Sequence, residues 1–407
     1  MTSDETGSGG PPTLPWPAAT YESVPWVSRL DQVTASRRQQ ELHTGPYRAA
    51  VVPVIAAAPV PLGSGLAALV EDASAEIARF DAELGSEIAP FSSILLRTES
   101  VASSRIENLT ASARAIAEAE LVPSSRGNAA EIVANTTAMK AALDLAGDIS
   151  ASSILAMHEA LLGAVAPAIA GRWRDQQVWV GGGDLGPHLA EFVPPQHSRV
   201  QSAIDDLIDF VARDDIPVLA HVAIAHAQFE TIHPFPDGNG RTGRALVQAM
   251  LAGKRLTRNV TVPVSAGLLA DTGAYFDALT SYRAGQISPI VTQFAQATFR
   301  ALTNGRRLVD DLRGIRRSWD DVISARSDSA VWRLAELLIR RPVLNAQTIA
   351  QELAIDSRNV TRYIHPLIDV GVLVESHHRR NQIWRSPEVL SALDAFAARA
   401  GRRIPAP

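Results

Sequence analysis

Residues 233–244 have the sequence HPFPDGNGRTGR, and they are more informative than any other segment of this 407-residue chain. Pro234 disfavours helical geometry at His233, so we predict that a preceding helix ends there. Phe235 is the only large apolar side chain of the segment, and we expect it to anchor the loop in the core. A new helix is predicted to begin near Arg241. The segment therefore predicts a tight loop between two helices.

The polar residues of this loop are suited to binding phosphate groups. Asp237 supplies a hard carboxylate oxygen, the kind of ligand that Mg²⁺ takes. The glycines that follow let the backbone turn so that successive N–H groups face one concavity. The helix behind them presents free N–H groups and the positive end of its dipole to the same place. Because Arg241 and Arg244 project from one face, a polyphosphate site is predicted, with His233 placed to act as a base.

Other sites with a similar glycine pattern fit the segment less well. A calcium loop beginning at Asp237 requires a glutamate at its twelfth position, where the chain has Gln248. A Walker loop requires a final Gly-Lys-Ser/Thr, which the segment does not have. A plain turn explains the glycines but not the acid, the histidine and the two arginines beside them. His221 and His226 are five residues apart and do not share a helix face, so they do not predict a metal site.

The segment resembles the signature of the Fic family, His-x-Phe-x-Asp/Glu-Gly-Asn-Gly-Arg-x-x-Arg. Every fixed position of that signature is filled, by His233, Phe235, Asp237, Gly238, Asn239, Gly240, Arg241 and Arg244. The resemblance implies that His233 deprotonates a hydroxyl of a target protein, which then attacks the α-phosphate of ATP. It implies that Asp237 holds Mg²⁺ between the α- and β-phosphates. It also implies that the phosphates are bound by Gly238, Asn239, Gly240 and Arg241, with Arg244 on the γ-phosphate.

Upstream of this segment, residues 171–195 include WRDQQVWVGGGDLGPHLAEFVPP. Alternating residues around position 179, three glycines and a pair of prolines predict a short β-hairpin. By the same resemblance this hairpin is a flap that aligns a target segment by main-chain pairing. The predicted docking residues are Val178, Trp179, Val180 and Gly181. A hairpin with a purely structural role remains the alternative.

A second motif lies in residues 99–109, ESVASSRIENL. Ser103, Glu107 and Asn108 match the inhibitory motif Ser/Thr-x-x-x-Glu-Gly/Asn of Fic proteins. On a helix, Ser103 and Glu107 share a face. The resemblance implies that Glu107 pairs with Arg244 and occupies the space of the γ-phosphate, because an Arg–carboxylate pair competes directly with an Arg–phosphate pair. A solvated glutamate on a helix surface remains the alternative.

The last eighty residues predict a helix-turn-helix followed by a two-stranded wing at residues 377–382. This pattern resembles the winged-helix modules appended to some Fic proteins. DNA binding through Arg358, Asn359 and Arg362 is one interpretation, and packing or dimerisation is the other. From Asp328 onward there are 11 arginines, no lysine and 8 acidic residues. The resulting charge of +3 does not decide between them.

The composition predicts a mainly α-helical fold, because the chain is rich in apolar residues and only 5% aromatic. Helices are predicted over residues 66–84, 90–109, 129–146, 152–162, 199–213 and 217–232. The predicted organisation is a flexible tail (1–20), a helical N-terminal region with the inhibitory helix (21–121), a Fic core with its β-hairpin flap (122–308), a linker helix (309–327) and a winged-helix domain (328–407).

Several classes of protein are excluded by the sequence. The absence of cysteine excludes disulfides, thiolate catalysis and zinc–thiolate sites. The first fifteen residues carry acids and no basic residue, which does not match a signal peptide. The most apolar stretch, residues 49–70, is interrupted by prolines and glycines and cannot form a membrane-spanning helix. We therefore expect a cytoplasmic protein that has no membrane partner.

The function predicted from these features is transfer of AMP from ATP to a hydroxyl of a target protein, inhibited by Glu107. The cofactors are ATP and Mg²⁺. The predicted partner is a protein with a Ser, Thr or Tyr hydroxyl, including this protein itself, and a homodimer and DNA are further candidates. Three alternatives stay open: removal of AMP from modified proteins, phosphoryl transfer as in the Doc branch, and a DNA-binding regulator with a vestigial Fic core.

Overall fold

The structure is a computed structural model that describes residues 16–27, 36–85, 88–122, 126–183, 185–378 and 381–401. It confirms the predicted mainly α-helical fold. Most of the predicted N-terminal tail lies outside the described residues. None of the helices described is both long enough and apolar enough to cross a bilayer.

The N-terminal region begins with strands that the sequence analysis did not predict. Strand β1 (Thr20–Val24) pairs antiparallel with β2 (Tyr47–Val51), and a short helix, α1 (Arg37–Leu42), lies between them in sequence. Three longer helices follow, α2 (Ser64–Gly85), α3 (Ile88–Ile106) and α4 (Ala113–Leu121). The first two confirm the helices predicted over residues 66–84 and 90–109.

The central part of the chain is a bundle of eight helices. They are α5 (Asn128–Asp144), α6 (Ala151–Leu162), α7 (Val200–Val211), α8 (Val218–Ile232), α9 (Asn239–Gly253), α10 (Val264–Leu269), α11 (Thr272–Arg283) and α12 (Ser288–Val322). The four helices predicted here lie within two residues of the observed ends. Helix α12 continues without a break past position 308, where the sequence analysis divides the core from a linker helix.

Helix α8 lies at the centre of this bundle. Its sequence, VLAHVAIAHAQFETI, has apolar residues on every side, and every residue from 219 to 232 is buried. A helix with apolar residues all round is stable only when neighbours cover it completely. Helices α2, α7, α9, α11 and α12 provide that cover. The loop between α8 and α9 is therefore held by two buried helices.

The C-terminal segment has the predicted order of helices and strands. It comprises α13 (Ala330–Arg340), β3 (Val343–Leu344), α14 (Ala346–Leu353), α15 (Val360–Asp369), β4 (Val374–His378), β5 (Asn381–Arg385) and α16 (Pro387–Ala400). The strands form one antiparallel sheet in the order β3-β5-β4. The tip of the predicted wing, residues 379–380, lies outside the described residues. Helix α16 was not predicted.

This segment packs against the N-terminal helices and α12. The Ala113 backbone N–H donates to Asp394 Oδ1 over 2.8 Å, and the Trp319 indole donates to Glu388 Oε2 over 2.6 Å. The Arg105 guanidinium, near the end of α3, donates to the Ala397 carbonyl of α16. Helix α3, which carries Ser103, is therefore in direct contact with the C-terminal segment.

Candidate active site

The loop after α8 begins as predicted at His233. Helix α8 ends at Ile232, and His233 adopts a left-handed backbone conformation with φ of 50°. Such a conformation is uncommon for a residue other than glycine. Two hydrogen bonds hold it, because the His233 N–H donates to the Phe229 carbonyl over 2.9 Å and Arg174 Nε donates to the His233 carbonyl over 2.8 Å.

The loop is anchored by Phe235, which is fully buried as predicted. Its ring stacks on His158 of α6, with centroids 3.7 Å apart, and on Trp173, with centroids 5.0 Å apart. His158 also ties two backbone segments together. Its Nδ1 accepts from the Gly171 N–H and its Nε2 donates to the Asp237 carbonyl, each over 3.0 Å. The sequence analysis missed His158, since a single histidine on a helix gives no local signal.

The side chain of Asn239 holds the backbone of the loop. Its Oδ1 accepts from the Phe235 N–H over 2.8 Å, and its Nδ2 donates to the Phe235 carbonyl over 2.9 Å. Gly238, with φ of 73°, immediately precedes α9, and the helix begins at Asn239, two residues earlier than predicted. Both polar groups of the Asn239 side chain therefore bond the backbone of Phe235.

Arg241 and Arg244 converge on one carboxylate, that of Glu107. Arg244 Nη2 donates to Glu107 Oε1 over 2.7 Å, and Arg241 Nε lies 2.9 Å from Glu107 Oε2. The two arginine side chains are each only 3% exposed, whereas that of Glu107 is 27% exposed. Arg241 Nη1 also donates to Glu131 Oε2 over 3.2 Å. The carboxylate of Glu107 thus lies against the two buried guanidinium groups in the first turns of α9.

Ser103 and Gly240 complete this arrangement. Ser103 accepts twice from Arg244, through its Oγ to Nε and through its carbonyl to Nη2, each over 2.9 Å. Gly240 has no side chain, and a Cβ at that position would overlap Glu107 Oε1. The sequence motif that paired Ser103 with Glu107 therefore corresponds to two residues that contact the same guanidinium.

The end of α3 corrects one prediction. Glu107 lies just beyond the helix, which ends at Ile106, rather than on the helix with Ser103. Asn108 has φ of 63°, its N–H donates to the Arg105 carbonyl, and the N–H of residue 109 donates to the Ser104 carbonyl. This pair of bonds around a left-handed residue is a common helix ending, and it favours Gly or Asn at that position. The turn is what directs Glu107 towards α9.

Asp237 has the exposure and the chemistry required of a metal ligand. Its side chain is 66% exposed, and Oδ1 accepts from the Gly238 N–H over 2.6 Å. Oδ2 is 3.9 Å from Arg241 Nη2. Within the described ranges no group of three or more His, Asp or Glu side chains forms a metal site. A single exposed carboxylate fits Mg²⁺, which usually takes one or two carboxylates together with substrate phosphates.

The predicted hairpin is present but very short. Val180 forms one antiparallel bridge with Phe192, with N–H to carbonyl distances of 2.8 and 3.2 Å. Gly181 and Gly182 have φ of 74°, and a Cβ on Gly182 would overlap the Leu189 carbonyl, so the turn requires glycine there. The predicted strand alternation is therefore limited to one residue pair.

The short hairpin is supported by the N-terminal strands. The Ala50 N–H of β2 donates to the Val193 carbonyl over 3.0 Å. Trp26, just beyond β1, packs edge-on against Trp179 with centroids 5.8 Å apart. Three of the predicted docking residues, Val178, Trp179 and Val180, are half-buried, and Gly181 is exposed.

His233 is suited to accept a proton. Its imidazole is 20% exposed and lies near two guanidinium groups. Burial, and then the charges of Arg174 and Arg283, lower the pKa of His233 to about 4. The imidazole is therefore neutral at neutral pH, which is the form that a general base requires.

Comparison with known proteins identifies the class of this site. Residues 148–251 match the model of the Fic/DOC family, so the chain contains a Fic domain. The matched segment includes the whole His233 loop and the two arginines of α9. It does not extend to Glu107 or to the C-terminal segment.

The similar proteins carry one activity in their names. The chain is 36% identical over 107 residues to Protein adenylyltransferase fic-1 of Caenorhabditis elegans, which is 26% of this chain and 19% of that protein. It is 32% identical over 161 residues to Protein adenylyltransferase Fic of Drosophila melanogaster, 38% of this chain and 29% of that protein. The matches therefore span less than a third of either relative.

A solved structure extends the likeness in fold. The crystal structure of a Fic family protein from Desulfovibrio desulfuricans G20 superposes with a TM-score of 0.50 at 19% sequence identity. The match covers 81% of this chain and 97% of that one. The shared fold therefore extends well beyond residues 148–251.

Proposed function

We propose that the protein transfers AMP from ATP to a hydroxyl side chain of a target protein, and that Glu107 inhibits this reaction. The observation that carries the proposal is the meeting of a neutral imidazole, an exposed carboxylate and two buried guanidinium groups at the start of α9. The names of the relatives matched over the Fic domain support the same activity.

The phosphates of ATP would bind at the start of α9. The backbone N–H groups at Gly238, Asn239 and Gly240 and the positive helix end favour anions there. Arg241 and Arg244 add two charges with little access to water, so a phosphate is a strong competitor for them. Asp237 would hold Mg²⁺, which when bound neutralises charge on the phosphates.

The residues of the chain then account for the transfer. His233 takes the proton from the target hydroxyl, and the hydroxyl oxygen forms a bond to the α-phosphorus. The bond between the α-phosphorus and the oxygen that bridges to the β-phosphorus breaks, and pyrophosphate leaves. Positioning and charge neutralisation dominate such reactions, and a general base adds about 10²–10⁴-fold.

Inhibition follows from the position of Glu107. Its carboxylate binds both arginines that the phosphates would require. A γ-phosphate cannot take the same hydrogen-bond donors at the same time, so nucleotide binding in a productive position requires Glu107 to move. The Glu107 side chain is 27% exposed, and its charged partners in the described part of the chain are Arg241 and Arg244. Both features are consistent with such movement.

The intact mass of purified Glu107→Gly protein after incubation with Mg-ATP tests the proposal. We expect the mass of the protein to rise by that of one AMP group. The rise should be absent when the same protein also carries His233→Ala. A gain equal to phosphate would replace AMP transfer with the phosphoryl transfer of the Doc branch. With no gain, AMP transfer would be restricted to an external target protein, and loss of AMP from AMP-modified proteins would assign the removal activity instead.

We also propose that residues 328–401 form a winged-helix module. The order of helices and the three-stranded sheet support this assignment. Arg358, Asn359 and Arg362 are exposed, and Arg358 is bound to Asp356 over 2.8 Å. Gel-shift titration with a random-sequence DNA duplex tests whether the module contacts DNA, with Arg362→Ala compared against the unmodified chain. Equally weak binding by both proteins would leave packing on α3 as the role of the module.

A further inference from the structure

Glu230 is a buried carboxylate beside the proposed catalytic base. It lies one turn before His233, near the end of α8, and its side chain is 9% exposed. Its Oε2 is 4.0 Å from His233 Nδ1. In the described residues neither Glu230 Oε1 nor His233 Nδ1 has a hydrogen-bond partner. The carboxylate thus lies between two imidazoles, with Oε2 towards His233 and Oε1 4.0 Å from His226 Nε2.

The packing holds Glu230 in this position. A Cβ on Gly243 of α9 would lie 2.9 Å from Glu230 Oε1, so the carboxylate rests directly against that helix backbone. Removing a carboxylate from water without a partner is costly. A glutamine or an apolar residue would avoid most of that cost. A buried glutamate at this point therefore indicates a role that requires its charge.

We propose that Glu230 is a positioning residue that accepts a hydrogen bond from the Nδ1–H of His233 and so leaves Nε2 free to take the proton of the target hydroxyl. The inference rests on the proposed function, in which His233 is the base. A neutral imidazole has one donor and one acceptor nitrogen, and the partner of one nitrogen fixes the role of the other.

The charge balance of the reaction supports this assignment. When Nε2 takes the hydroxyl proton, Nδ1 keeps its own, and the imidazole becomes a cation. An ionised carboxylate beside that cation stabilises it, as in other acid–base pairs in active sites. The distance of 4.0 Å exceeds a hydrogen bond, but such bonds are often long before substrate binds and shorten in the complex.

The protonation of Glu230 gives the proposal a measurable signature. Burial raises the pKa of Glu230 to about 7. The titratable and charged groups that face it are His226 of α8, His233 just beyond α8, Arg244 of α9, Tyr275 and Arg283 of α11, and Glu107. The ionised carboxylate is the stronger acceptor for the Nδ1–H and is the form that stabilises the imidazolium. Activity should therefore fall as the pH falls through about 7, well above the pKa of the base itself.

The first experiment compares variants in the active Glu107→Gly background. We expect Glu230→Gln to lower kcat by about 10–100-fold, the usual effect of losing a partner that orients a reacting histidine, with the KM for ATP unchanged. The fall in kcat/KM below pH 7 should disappear. A normal kcat, or a retained fall near pH 7, would contradict the proposal.

Glu99→Gln provides the matched control. Glu99 is also fully buried, and burial raises its pKa to about 7. It accepts from Ser265 N over 2.9 Å and from Ser265 Oγ over 2.6 Å, and not from a histidine. We expect Glu99→Gln to keep both the kcat and the fall near pH 7, because it changes a carboxylate that does not face the base.

A second experiment does not require any transfer activity. ¹⁵N-histidine NMR at pH 8 should show His233, assigned from its loss in His233→Ala, with a protonated Nδ1 and an unprotonated Nε2. Glu230→Gln should shift this tautomer equilibrium towards Nε2–H, and Glu99→Gln should not. If Glu107→Gly transfers nothing, the proposed function fails while these spectra still test Glu230. An unchanged tautomer in Glu230→Gln would overturn the positioning role.

Discussion

The proposed catalytic loop (residues 233–244) and the proposed inhibitory turn (residues 107–108) begin from the same local structure. Each follows a helix, and a non-glycine residue with positive φ lies just beyond the helix end, His233 at 50° and Asn108 at 63°. They differ in what holds the next polar groups. In the loop, Asn239 and His158 bond the backbone on both sides, so the loop is fixed by its own neighbours. In the turn, Glu107 is held through its carboxylate by Arg241 and Arg244.

This difference separates a rigid element from a replaceable one. The loop keeps its geometry whether or not anything binds the arginines, because its hydrogen bonds are internal and buried. The carboxylate of Glu107 depends on two cations that a phosphate also binds. We therefore expect substitutions in the loop to reduce activity or stability, and substitutions in the turn to increase activity.

The largest effect should come from removing the base. In the Glu107→Gly background, His233→Ala should lower the transfer rate by about 10²–10⁴-fold, the usual contribution of a general base. The Kd for Mg-ATP, measured by calorimetry, should change less than about twofold, because His233 lies outside the phosphate cradle. A large loss of ATP affinity would show instead that the substitution disturbed the loop.

The next effect should come from removing the competing carboxylate. Glu107→Gly should raise the transfer rate by about tenfold or more, because a hydrogen bond between charged groups contributes about 1.5–3 kcal/mol. Glu131→Gln is the matched control, since Glu131 contacts Arg241 but not Arg244. Its rate should stay within about threefold of the unmodified protein. Equal activation by both substitutions would remove the special role of Glu107.

A smaller effect should test the rigidity of the loop. Asn239→Ala leaves the Phe235 N–H and carbonyl without partners inside the protein, which should cost about 1–3 kcal/mol of unfolding free energy. Urea unfolding followed by circular dichroism measures this cost. Gln201→Ala, an exposed amide bound to Asp205, should change it by less than about 0.5 kcal/mol. Similar values for the two variants would contradict the rigid loop.

The smallest effect should come from the backbone of the inhibitory turn. Asn108→Val places a β-branched residue at φ of 63°, which costs about 1–2 kcal/mol and should loosen the turn. We expect a several-fold rise in transfer by the otherwise unmodified protein. Asn108→Gly fits the same conformation and should leave the rate unchanged. A rise with glycine equal to that with valine would show that backbone conformation is not the cause.

The comparison also shows which parts of the site could be predicted. The end of α8 at His233, the burial of Phe235 and the shared direction of Arg241 and Arg244 depend on residues within twelve positions of one another. Local rules of proline, glycine and helix periodicity are sufficient for such features. The contact between Glu107 and Arg244 spans 137 positions. It was predicted through the resemblance of a motif and not from local rules.

Other features could not be predicted from the sequence because they exist only between distant segments. Strands β1 and β2, which support the short hairpin through Val193 and Trp179, follow no strong alternation of their own. The predicted hairpin reduces to one bridge, and the connection between its two sides contains a 3₁₀ turn at Pro187–Leu189. Helix α16 and its contacts with α3 were missed for a similar reason, since nothing local links them.

The order of residues was enough to predict a mainly helical chain and a tight loop between two helices at residues 233–244, since those depend on composition and on neighbours along the backbone. Tertiary packing determined the contacts of the side chains around that loop. It directed Asn239 to the loop backbone and brought His158 under Phe235. It also enclosed Glu230 beside His233. Those contacts depend on which helices meet, and that is determined by burial of apolar surface over the whole bundle rather than by any one segment.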